Sequence, residues 1–178
     1  MTDRTRPLVG RAATPEPPGM GSTTLGDILS LDEWKQYSGR RAVIAASTSH
    51  GRQLLDDAGF VVFPAVPGLV EEAVRRLRPG ALILDATALE AGPWSGALTD
   101  AAPELGAELI RTVSAAIDAD VTVYWVGEAA DGGALFHDVV TDAVLVVAPG
   151  SELYAGTEEG APASRLVRAL RSMAGRVL

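Results

Sequence analysis

Short, continuously apolar runs alternate along this chain with longer segments whose apolar residues recur every three or four positions. The runs fall at 42–46, 60–63, 81–85, 121–126 and 143–148. A half-exposed strand alternates apolar and polar residues, whereas a run without alternation reads as a strand buried on both faces. The segments between them, at 49–58, 68–78, 103–118, about 133–140 and about 162–176, read as amphipathic helices. In the second of these, Leu69, Val70, Ala73, Val74 and Leu77 share one face. In the third the predicted inward face is Leu105, Leu109, Ile110, Val113 and Ile117, and in the last it is Leu166, Val167, Leu170, Met173 and Val177. Gly59, Pro64 and Pro79-Gly80 punctuate the elements, and Pro103 sits in a first helical turn, where a missing N–H costs little.

Five buried strands alternating with helices predict an α/β fold: a five-stranded, doubly wound parallel sheet with helices on both faces. Right-handed crossovers restrict the topology, and five strands favour the order 2-1-3-4-5. The central strand, 81–85, ends at Asp85 and is followed by a long loop, 86–99. Residues 25–178 form one domain in this reading. Residues 1–24, rich in proline and glycine, have few large apolar side chains and read as a flexible arm. Ser30 and Glu33 have capping-box spacing and predict a short helix over 31–37, stopped by Gly39 and anchored by Trp34.

Charge and composition narrow the function classes. The net charge of −8 disfavours nucleic acid as a partner. No apolar run approaches the roughly 20 residues of a membrane span, and no signal-peptide pattern opens the chain, so a cytoplasmic protein is expected. With no cysteine, thiolate metal sites and cysteine nucleophiles are excluded.

In a doubly wound sheet, ligands bind beyond the carboxyl ends of the strands, at the switch point between the first and third. Ser47, Thr48, Ser49, His50 and Arg52 lie there and are the candidate anion loop: hydroxyls and open amides at a helix N-terminus attract phosphate or carboxylate. The competing reading is a simple helix cap. Asp85, Trp94 and Ser151 are the strand-end candidates. Asp85 suits a phospho-acceptor, a metal ligand, a ribose partner or a strand-end carboxylate held by loop amides. Trp94 suits a stacking platform, an interface anchor or a cover over the protein's own core. No metal site and no catalytic residue is predicted.

Over residues 41–178 the layout resembles the response-regulator receiver domain, with Asp85 matching that family's aspartate at the end of strand three. That resemblance implies phosphotransfer at Asp85. Ser47-Thr48-Ser49 replaces the family's acidic pair, Gly127 its hydroxyl residue and Pro149 its lysine, which leaves a pseudo-receiver. The chain is also similar to flavodoxin, through the hydroxyl-rich first loop and the aromatic after strand three, which would imply FMN. His50 stands where that family has glycine. The Gly92-Pro93-Trp94-Ser95-Gly96 loop is similar to N-terminal domains of bacterial glycosyltransferase-like proteins.

These observations lead to the expectation of a non-catalytic regulatory or protein-interaction domain, with a protein partner or homo-oligomer and no cofactor. The alternative is a small-ligand domain binding FMN, a nucleotide or a sugar phosphate.

Overall fold

The computed structural model describes residues 39–128, 134–149 and 162–175. Within them lie five strands: β1 (Gly39–Ala46), β2 (Val61–Pro64), β3 (Pro79–Asp85), β4 (Thr122–Val126) and β5 (Val144–Val147). The helices are α1 (Ser49–Asp57), α2 (Val70–Leu77), α3 (Ala86–Glu90), α4 (Pro103–Asp118), α5 (Ala134–Val139) and α6 (Pro162–Ala174). All strand pairs are parallel, in the order β2-β1-β3-β4-β5. The predicted arm, the 31–37 helix, Ser151 and Val177 lie outside the described residues.

Successive residues of a strand point to opposite faces, so each central strand feeds two cores. One core holds Ala42, Ile44, Leu82, Leu84, Val123 and Trp125 beneath α2 and α4. The other holds Val43, Ala45, Ala81, Ile83, Val126 and Val147 beneath α1 and α6. Residues 81–84 are almost completely buried, which explains their unbroken apolar run.

Helix faces follow the predicted periodicity with one departure. Val70, Ala73, Val74 and Leu77 of α2 are buried, as are Leu109 and Val113 of α4, but Ile117, expected to face the sheet, is 38% exposed. It lies in the last turn of α4, where its neighbour Ala116, fully buried, takes the inward position instead.

Two boundaries also differ. The first and third strands begin at Gly39 and Pro79, two to three residues earlier than their apolar runs. Gly39 pairs with Pro79, and an irregularity in register separates that pair from the regular ladder beginning at Val43 and Ala81. Arg78 makes this tight entry possible: it caps α2 in the left-handed region, φ 44°, with its amide donating to the Val74 carbonyl.

The second difference is the predicted long loop after Asp85. It contains α3 and then a single 3-10 turn, Gly92–Trp94. Asp85 is itself the cap that starts α3, which is why the chain turns helical at once.

Candidate functional site

β1 and β3 are neighbours, and their carboxyl ends deliver two segments to the same place. From β1 the chain passes through Ser47 to Thr48, the extended N-cap of α1. The Thr48 hydroxyl accepts from the Gly51 amide at 3.1 Å. Ser49 and Arg52 are exposed, while Ser47 and His50 are half-buried. The Ser47 Oγ and His50 Nε2 atoms are themselves buried and have no hydrogen-bond partner among the described residues. Gly51 packs inward against α6: a Cβ there would lie 2.8 Å from Met173 Cε.

From β3 comes Asp85, 8% exposed. Its Oδ1 accepts from the Thr87 amide at 3.1 Å, and its Oδ2 accepts, at a long 3.5 Å, from the Thr48 amide. One carboxylate thus receives the start of α3 and the start of α1. Burial pushes the Asp85 carboxyl above its ordinary value. The amides of Thr48, Thr87 and Ala88 and the Thr87 hydroxyl oppose that rise by stabilising the charge.

The next strand closes in on the same end. Gly127, just past β4, has φ 105°, and a Cβ at this position would lie 3.3 Å from Ala86 Cβ. A side chain here would need both an unfavourable backbone conformation and room beside α3. Nothing in the sequence marked this glycine as a packing residue. Its positive φ and its neighbour across the sheet are set by the fold.

Trp94 does not join these groups. It is 2% exposed in the core beneath α2 and α4, and its indole N–H donates to the Ala65 carbonyl at 2.7 Å. Ala65 follows β2, and its own amide donates to the Ala45 carbonyl of β1. Trp94 therefore ties the segment after β3 to the segment after β2 and presents no open ring face for a ligand. Of the eight residues singled out from the sequence, five surround the start of α1, Asp85 meets them there and Trp94 turns away. Ser151 lies outside the described residues. Among those residues no three His, Asp or Glu side chains gather where they could hold a metal ion.

Chemically, the arrangement can accept hydrogen bonds through a buried carboxylate, and Ser47 Oγ and His50 Nε2 near the start of α1 are unused among the described residues. No protein-family model, no curated protein and no solved structure matches the chain, so its function is read from its own residues.

Proposed function

We propose that this chain is a non-catalytic α/β interaction domain that works through contact with another protein. One observation carries the reading: the Asp85 carboxylate accepts from the Thr48 amide, at the helix start where a bound anion would be held. A doubly wound fold that binds phosphate leaves such amides open. Here an internal anion takes one of them. An incoming phosphate would meet that negative charge at short range, in surroundings that screen it less than water. The Thr48 hydroxyl is engaged as a cap, so two groups of the candidate loop serve the fold itself.

The second reading, a domain for a nucleotide, a sugar phosphate or FMN, draws on the unused Ser47 Oγ and His50 Nε2. Native mass spectrometry and thermal melts of the purified chain separate the two. The interaction reading predicts no retained small molecule and no stabilisation by inorganic phosphate, ADP or FMN. Stabilisation that follows mass action, about 2.7 kcal/mol at a hundredfold excess over Kd, would overturn it, provided that Arg52→Ala weakens the effect.

A further inference from the structure

We propose that the outer edge of β5 is the docking site, and that it takes an extended peptide segment with aliphatic residues flanked by Arg or Lys as a sixth strand. The proposal rests on the interaction-domain reading and names the surface and the chemistry of the partner.

Among the described residues β5 is the last strand of the sheet. Leu145 and Val146 are each 41% exposed, and with Ile117 they are the exposed large hydrophobic residues among those described. Being consecutive, they lie on opposite faces, so both faces of the sheet leave apolar surface open at the same edge. Val144 and Val147, at the ends of the strand, are buried in the two cores and hold β5 in place.

The backbone is oriented to match. The Val147 carbonyl accepts from the Gly127 amide, so Val147 faces inward, toward the β4 side. In a parallel ladder inward and outward residues alternate, which turns the N–H and C=O of Val146 away from β4. The most exposed part of the strand is therefore also where a further strand would find a donor and an acceptor. An apolar edge of this kind is a template for strand addition.

Charge selects the partner. Residues 112–164, which include β4 and β5, carry nine Asp or Glu and no Lys or Arg; the exposed Arg168 and Arg171 stand on α6, which packs beside β5 on one face. Exposed acids stand at both ends of the edge. Asp142 precedes β5 and Asp120 precedes β4 at one end, while Glu128 follows β4 at the other. An apolar pair between acids complements an apolar pair between bases. A second copy presenting the same edge would bring Asp142 and Glu128 into its own negative field.

The test uses the full chain and two short synthetic peptides. One has a Val-Ile-Val-Ile core between pairs of Arg; its twin has Glu in place of Arg. Fluorescence anisotropy reads binding, and amide NMR of the labelled protein reads the place. The Arg peptide is expected to bind, more weakly as salt rises, and to shift the amides of β5 and Glu128. The Glu peptide is expected to bind about tenfold or more weakly, through like-charge repulsion. Val146→Lys places an edge charge, and Val146→Pro removes the outward donor at a position where an edge strand tolerates proline. Both should abolish binding while leaving the amide spectrum dispersed. Equal binding of the two peptides, binding unaffected by either variant, or no binding would overturn the proposal. So would slow hydrogen exchange of the Val146 amide in the free protein, which would mean that a second copy or the chain's own residues already cover the edge. ADP or FMN shifting the amides of 47–52 would instead overturn the interaction-domain reading, an outcome independent of what the peptides do at β5.

Discussion

β3 and β5 are both short, apolar, parallel strands, and their side chains meet opposite fates. In β3, Ala81, Leu82, Ile83 and Leu84 are at most 1% exposed, because a strand lies on either side and helices cover both faces. In β5 the two middle residues, Leu145 and Val146, are 41% exposed, and among the described residues no strand lies on one side of it. A leucine in each would look equivalent in a hydropathy profile. Position in the sheet, and not residue type, decides what each contributes to stability.

The largest test applies one substitution to both strands. Leu84→Ala should cost about 2–5 kcal/mol, since it opens a cavity in a fully buried layer. Leu145→Ala should cost well under that, within about 1 kcal/mol, because much of the side chain is already in water. Chemical denaturation of both variants measures the gap. Similar losses would erase the distinction between centre and edge.

A smaller effect tests how the central layer is fastened at its carboxyl end. Trp94→Phe keeps an aromatic ring in the core and leaves the Ala65 carbonyl without its donor. The expected loss is about 1–3 kcal/mol, read as a lower denaturation midpoint. No loss would show that the indole contributes only bulk.

Smaller still is the pH response of Asp85, the polar end of β3. Its folded-state carboxyl titrates above the ordinary 3.8, so the folded state holds the proton more tightly than the unfolded one. That contribution to stability is fully present below about 3.8 and is lost as pH rises through the raised value. Asp85→Asn removes the titration. Thermal melts across the acidic range should show the wild type losing stability relative to this variant as pH rises. A constant difference between the two would contradict the burial of the carboxyl.

The smallest expected effect is none. Receiver-type phosphotransfer uses a metal held by carboxylates and a cation beside the phosphoryl oxygens. Ser47 and Thr48 stand in place of acids at the end of β1, and Asp85 is engaged with two amides. Acetyl phosphate with magnesium should leave the intact mass unchanged. A phosphoryl adduct that disappears in Asp85→Asn would return Asp85 to catalysis.

The sequence by itself determined the architecture. Uninterrupted apolar runs specify strands buried on both faces, three-to-four periodicity specifies the helices between them, and their alternation leads to a parallel sheet ordered 2-1-3-4-5. These are local signals, repeated along the chain. The tertiary structure decided everything that depends on which distant residues meet. Asp85 is legible as a strand end, but its second partner, the Thr48 amide, lies 37 residues away and is reached only because β1 pairs with β3. Trp94 reads equally well as a ligand platform or a core residue until the Ala65 carbonyl, 29 residues distant, takes its N–H. Gly127 needs its freedom because the chain leaves β4 at φ 105°, and Ala86 stands where a side chain would go. Leu145 and Val146 read as core until the strand order leaves them at the edge. Periodicity records whether a residue belongs to a buried element; neighbours across the sheet determine how completely it is buried and what its polar atoms can still bind.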